Sequence, residues 1–281
     1  MSEASPRNAP QGLHFLAMTA VEGLYATPGH IESAADCHFY HAMDIPGYGP
    51  ILNFLWDLRG SEPDYLGHVK LEGKRVLEIG PASGYLSFYM ESCGAEVVSV
   101  ELSPDLSWDV VPDPQTDLEV WAKDRRAGME GLRNAYWFAH ERFNSSARVH
   151  YGNIYDLPDA LGHFDIAVLG SVLLHVREPL RVVQNCARLA DSLVVTEPHY
   201  SHLPDDRPVM EWFAAPDAPT PGNWWRFSPN MIQRFVEAVG LTSHTATTMY
   251  ETVAIVEGSR TPAPMFTVAA WRPDHPSPIA L

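Results

Sequence analysis

The chain has 281 residues, 46% of them hydrophobic, which is enough for one large domain with a proper core. Its 19 lysines and arginines stand against 35 aspartates and glutamates, a formal charge of −16, and that balance argues against a protein that tracks nucleic-acid phosphates. The isolated Cys37, Cys93 and Cys186 share no metal-type spacing, no apolar run reaches a membrane span, and the N-terminus shows no secretory pattern, so a cytoplasmic protein with no metal centre and no membrane segment is expected.

In chain order, residues 1–12 (MSEASPRNAPQG) are polar and turn-rich and read as a frayed end. Residues 13–66 mix aromatics, histidines and prolines without a clean period, and the whole of 1–66 is assigned to an N-terminal cap or lid. From residue 67 the pattern is regular. KRVLEIG reads as a buried strand and SGYLSFYMESCG as a helix, with Ser83 near its start and Gly94 after its end. AEVVSVE, ARVHYGN, FDIAVLG and DSLVVTE read as four further strands, and PLRVVQNCARLA as an amphipathic helix between the last two of them. SPNMIQRFVEAVG is a helix with Ser228 as N-cap and Gly240 as stop, and two late strands follow around TTMYETVAIV and MFTVAAW. Helices alternating with apolar strands predict an α/β, doubly wound, mainly parallel sheet over 67–281. The segment at about 103–146 is long for one connection and reads as an insertion, suited to a lid or an oligomer surface such as that of a homodimer.

The informative stretch is RVLEIGPASG, residues 75–84. A loop from a buried strand into a helix presents backbone N–H groups beside the positive helix end, and its glycines admit a ligand close to the backbone. On its own it is also readable as a tight turn that binds nothing. Three later strand ends point to a ligand. Glu101 follows the second strand and suits the hydroxyls of a ribose. Asn153 and Ile154 follow the third, where a side-chain amide and a backbone group can face a purine, although Asn153 is equally a turn former. Gly170 and Ser171 end the fourth, with His175 just beyond.

This set resembles the class I S-adenosylmethionine-dependent methyltransferases, over roughly residues 70–275. The family motif, an acidic residue followed by G-x-G-x-G, here reads E-I-G-P-A-S-G, with Ala82 at the middle glycine. The resemblance implies a Rossmann-like, seven-stranded methyltransferase fold with S-adenosylmethionine as cofactor. It implies that Glu78 organises the loop, that Gly80, Pro81, Ala82, Ser83 and Gly84 line the methionine and ribose parts, and that Glu101 and Leu102 hold the ribose. It implies that Asn153 and Ile154 hold the adenine and that Gly170 and Ser171 lie under the methionine. A dinucleotide dehydrogenase has a similar loop, but Glu78 and the methyl of Ala82 suit a pyrophosphate poorly. The chain is most similar to bacterial small-molecule methyltransferases, with some likeness to enzymes of the transfer-RNA wobble uridine. The charge favours a small-molecule acceptor over RNA, and methylation at oxygen, in specialised metabolism, is the expected reaction. A catalytically silent cofactor-binding scaffold is the competing class.

His175 and His199 are the candidate bases for transfer, with packing roles, or transfer by proximity alone, as the alternatives. Tyr40 and His41 in the cap, and Trp225 and Arg226 near the C-terminal helix, are candidates for contact with the acceptor. Trp56, Trp108, Trp137 and Trp224 join Trp225 as possible pocket walls, each also an ordinary core residue. His38 and His41 lack a third partner for a metal. Lys123-Asp124-Arg125-Arg126 is the one cluster of basic residues.

Overall fold

The computed structural model describes residues 23–51, 55–112, 114, 116–214, 220–256 and 259–280, so the polar start of the chain lies outside the described residues. The cap contributes a hairpin, β1 (Met43–Ile45) with β2 (Gly49–Ile51), a two-residue strand β3 (Trp56–Asp57) and a short helix α1 (Glu62–Tyr65). The regular part follows as β4 (Arg75–Ile79), α2 (Tyr85–Ser92), β5 (Glu96–Leu102), α3 (Leu118–Phe143), β6 (Arg148–Gly152), β7 (Phe164–Gly170), α4 (Pro179–Leu189) and β8 (Ala190–Pro198). A small hairpin, β9 (Met210–Trp212) with β10 (Trp225–Phe227), precedes α5 (Pro229–Ala238), β11 (Ser243–Val256) and β12 (Ser259–Trp271).

The main sheet runs β3-β11-β12-β8-β7-β4-β5-β6. The pairs β4/β5, β4/β7, β5/β6 and β7/β8 are parallel, whereas β12 joins β8, and β11 joins β12, antiparallel. The expected strands are all present, and the cap adds one more: Trp56 and Asp57 pair with Ala254 and Val253 on the outer edge of β11. A strand of two residues carries no period, which is why it is not visible in the sequence.

The central strands are apolar on both faces because helices cover both. Leu77 and Ile79 of β4 enter one core with Val98, Leu169, Val195 and the buried sides of α4 and α5. Val76, Val97, Ile166 and Val194 enter the other, with Leu86 and Met90 of α2. Ser228 caps α5 as expected, its Oγ accepting from the Met231 N–H at 3.3 Å. Asp117 caps α3 by accepting from Glu119 and Val120 N–H, both at 3.1 Å, and Asn144 ends it in the left-handed region.

The long segment read as an insertion has a simpler form. Residues 118–143 are a single helix of 26 residues. Its second half buries Leu132, Ala135, Tyr136 and Phe138, and it forms the crossover that a parallel β5–β6 pair requires. What remains additional is the stretch of Leu106, Ser107, Trp108 and Asp109 and the first turns of α3 with Arg125 and Met129, which line the cavity at the carboxyl ends of the strands.

Candidate active site

A cavity of about 310 Å³ opens at the carboxyl ends of β4, β5, β6 and β7, the place where open α/β sheets bind ligands. The loop after β4 forms one wall with Gly80, Pro81 and Ala82. Gly80 has φ +70, and a Cβ there would come within 3.1 Å of a Val172 methyl, which would narrow the cavity. Ala82, at the position of the family's middle glycine, has φ 50. A non-glycine residue there costs about 1 kcal/mol. Ser171, on the opposite wall, has φ 52, so two strained residues face the same space.

Ser83 and Gly84 do not line the cavity. The fully buried Ser83 accepts hydrogen bonds on Oγ from the backbone N–H groups of Tyr40 and His41, each at 3.2 Å, and so ties the cap to the loop. Gly84 is the N-cap of α2, and a Cβ would fall 2.7 Å from the Phe88 ring and 2.8 Å from that of Tyr136. Packing therefore accounts for its lack of a side chain.

Two carboxylates line the floor. Alternation along the strands puts Glu78 on the same sheet face as Ser99 of β5, under Ser87 of α2. Its Oε2 accepts from both hydroxyls, at 2.8 Å for Ser99. Burial pushes Glu78 up to about 7, and those hydroxyls oppose the rise. Glu101 is also raised by burial. Its Oε1 accepts from the Leu102 N–H at 2.7 Å, and Leu102 lies beside it in the wall.

Asn153 and Ile154 line the far end, after β6. The Asn153 Oδ1 accepts from the Tyr155 N–H at 2.9 Å in an Asx turn, so its acceptor oxygen already has a local partner. The Ile154 carbonyl accepts from Asn185 Nδ2 at 3.1 Å. Gly170 and Ser171 end β7 in the cavity. A Cβ on Gly170 would lie 2.9 Å from the Tyr65 ring, and the Ser171 and Tyr65 hydroxyls are 3.3 Å apart.

The structure separates the two candidate bases. His175 lines the cavity, its Nδ1 donating to the Gly222 carbonyl at 2.7 Å, which leaves Nε2 with a lone pair. Burial pulls its pKa down to about 4, so the ring is neutral. Glu197, on the buried end of β8, accepts from the Leu173 N–H at 2.8 Å and steadies the turn that carries His175. His199 lies outside the cavity, where its Nε2 pairs with Asp205 at 2.8 Å.

The acceptor candidates divide in the same way. Tyr40 and His41 line the cavity with Trp56, whose Nε1 donates to the Tyr40 hydroxyl at 3.1 Å. His41 is buried, its Nδ1 has no partner, and burial lowers its pKa to about 3. Trp225 and Arg226 lie outside. Trp225 donates to the Val176 carbonyl at 3.1 Å, and Arg226 is held by Glu211 at 2.9 Å, which leaves it unavailable to an acceptor's carboxylate. Of the other tryptophans, Trp108 lines the cavity, whereas Trp137 and Trp224 are packed away from it. Arg125 and Tyr65 are lining residues that the sequence did not single out; Arg125 stood only as one member of the basic cluster at 123–126.

These residues fit S-adenosylmethionine. The floor is acidic, as a sulfonium and an ammonium require; the approach at Gly80 is open; and Glu101 keeps acceptor capacity after its bond to Leu102. A family model described as a methyltransferase domain matches residues 58–246. Ubiquinone biosynthesis O-methyltransferases of Xanthomonas oryzae pv. oryzae and Xanthomonas campestris pv. campestris are 26% identical over 164 residues, 53% of this chain and 57% of theirs. The chain thus matches little more than half the length of these relatives. Among solved structures, the N-terminal domain of EvdMO1 in the presence of SAH and D-fucose has 15% identity and a TM-score of 0.48, over 75% of this chain and 80% of that one. The 1,6-didemethyltoxoflavin-N1-methyltransferase of Burkholderia thailandensis has 14% identity and a TM-score of 0.46, over 76% and 78%. With the family match running over 58–246, two thirds of the chain and the cavity-lining residues from Leu58 to Val176, the chain belongs to the methyltransferase domain family.

Proposed function

We propose that this protein is an S-adenosylmethionine-dependent methyltransferase that methylates an oxygen of a small-molecule acceptor in specialised metabolism, as a cytoplasmic protein. The observation that carries the reading is that one cavity is lined by Glu101, by Tyr40, His41 and Trp56 of the cap, and by His175. Aromatic walls at Tyr40, Trp56 and Tyr65 suit a compact planar molecule. The charge of −16 argues against RNA, and the name of the curated relatives favours oxygen as the methylated atom. Among the described residues no helix is long and apolar enough to cross a membrane.

When bound, S-adenosylmethionine supplies an electrophilic methyl group. Glu101 would accept hydrogen bonds from the ribose hydroxyls, Asn153 and Ile154 would border the adenine, and Glu78 with the Gly80–Ala82 backbone and Gly170 would hold the methionine end. Tyr40, Trp56 and Tyr65 orient the acceptor and exclude water. The acceptor hydroxyl donates to Nε2 of His175 and gives up its proton there. A base of low pKa suffices, because a hydroxyl oxygen that gains a carbon substituent becomes strongly acidic.

The test is a titration with S-adenosylmethionine, followed by measurement of S-adenosylhomocysteine release with panels of phenols, alcohols, amines and bulk transfer RNA. Binding, with release driven by a hydroxylated small molecule, is expected. Release driven only by amines or by transfer RNA would overturn the acceptor assignment.

A further inference from the structure

Arg125 sits in an unusual state for an arginine of an acidic protein. Its neighbours Lys123, Asp124 and Arg126 on α3 are exposed, but Arg125 turns inward and lines the cavity. Its guanidinium lies over the Trp108 ring, 3.9 Å from the centroid. Its Nε is buried without a hydrogen-bond partner, and the Nε1 of Trp108 is buried without one as well. Elsewhere the chain pairs such groups: Arg59 holds Asp57 at 2.8 Å and Arg226 holds Glu211 at 2.9 Å. Glu101 bears on Arg125 only through space, and among the described residues no hydrogen bond joins them. A buried donor left unpaired costs about 1–3 kcal/mol, and more when charged, so an unfilled arginine fork inside a binding cavity points to a ligand that fills it.

The chemistry of the missing partner follows from the donors. Arg125 offers only N–H groups, planar and in a fork that matches a carboxylate. Trp108 fixes the plane of that fork by stacking, and its ring meets His175 edge-on at 5.5 Å between centroids. An anion on Arg125 is therefore near the base and the transfer point. We propose that Arg125, backed by Trp108, is the specificity determinant for an acceptor that carries a carboxylate, so that the molecule methylated is a hydroxylated aromatic acid in its anionic form. This rests on the small-molecule reading above and narrows it.

The cofactor also has a carboxylate, and the experiment separates the two sources. Wild type, Arg125→Gln and Arg125→Lys are each titrated with S-adenosylmethionine, and then assayed with hydroxybenzoic and hydroxycinnamic acids beside their methyl esters. Fluorescence titration of the tryptophans with the same acids, without cofactor, reads acceptor binding independently of turnover. Wild type should bind and use the acids at least tenfold better than the esters. Arg125→Gln should lose that preference through a KM raised about 10–100-fold, the equivalent of a charge-assisted pair of hydrogen bonds, while its cofactor affinity stays within about twofold. Arg125→Lys should recover part of the preference, because it keeps the charge and loses the fork. Equal binding of acids and esters by wild type would overturn the proposal. A cofactor affinity that falls tenfold in Arg125→Gln, with the acid preference intact, would give the arginine to the cofactor and overturn it as well. Failure of wild type to bind S-adenosylmethionine would instead contradict the cofactor fit itself, and the fluorescence titration would still decide the case of Arg125.

Discussion

Replacing Ser83 by alanine tests how the cap is held. The Ser83 side chain is fully buried and accepts from two backbone N–H groups, those of Tyr40 and His41, at 3.2 Å each. Alanine removes the acceptor and leaves both donors facing a methyl group. An unmet buried donor costs about 1–3 kcal/mol, and these bonds are at the long end of the range, so about 1–1.5 kcal/mol each is expected. The sum is about 2–3 kcal/mol, a large effect for a change of one atom. Urea unfolding should show it as a lowered midpoint with an unchanged slope. Amide exchange should show it locally, as loss of protection at Tyr40 and His41. Because these residues line the acceptor end of the cavity, the KM for the acceptor should rise more than the Kd for S-adenosylmethionine. A loss below about 0.5 kcal/mol with an unchanged acceptor KM would refute the view that this serine anchors the cap.

Three further predictions follow from the same geometry. Glu101→Ala should raise the Kd for S-adenosylmethionine by about 10–100-fold, the loss of charge-assisted hydrogen bonds worth about 1.5–3 kcal/mol; calorimetry that shows less than a twofold change would remove Glu101 from the ribose site. His175→Gln should lower kcat by about 100-fold, whereas His199→Gln, on a residue tied to Asp205 outside the cavity, should leave it within about twofold; equal losses would refute the separation of the two. Stability against pH should have a maximum in the mildly acidic range. His41 and His175 have pKa values lowered by burial from 6.5 to about 3 and about 4, so their contribution is complete above pH 6.5 and is lost as pH falls toward those values. Glu78 and Glu197 have pKa values raised by burial from 4.5 to about 7 and about 8, so their contribution is complete below pH 4.5 and is lost as pH rises through those values. Glu197→Gln should flatten the alkaline limb in denaturant melts, and an unchanged limb would show that Glu197 does not titrate there.

The sheet was legible because β4, β5, β7 and β8 are buried on both faces and so read as unbroken apolar runs ended by glycine or acid. Ser228 announced its helix because a cap is a local device. The strands of the cap were not legible, since β1, β2 and β3 are two or three residues long and carry no period, and β3 owes its existence to β11, far along the chain. Within the site, Glu101, Gly80 and Gly170 were legible from their positions at strand ends. Arg226 was misleading because its partner Glu211 belongs to another strand of a hairpin that has no sequence signature. Arg125 was hidden by its exposed neighbours: the orientation of one residue in a basic run depends on what the helix overhangs, which local sequence does not carry. Ser83 and Gly84 belong to the loop motif, yet one fastens the cap and the other makes room for Phe88 and Tyr136.

The Ser83 tie has a kinetic corollary. One hydroxyl lies on the loop after β4, whose Gly80–Ala82 part lines the cavity, and also fixes the backbone of Tyr40 and His41, which line it from the cap. Occupancy on one side and closure on the other are then linked equilibria, and linkage is reciprocal. Filling the nucleoside half should order the loop, strengthen the anchor and bring Tyr40 and His41 to their working positions before the second molecule arrives. The kinetic scheme that corresponds to this is an ordered one, in which S-adenosylmethionine binds first and S-adenosylhomocysteine leaves last.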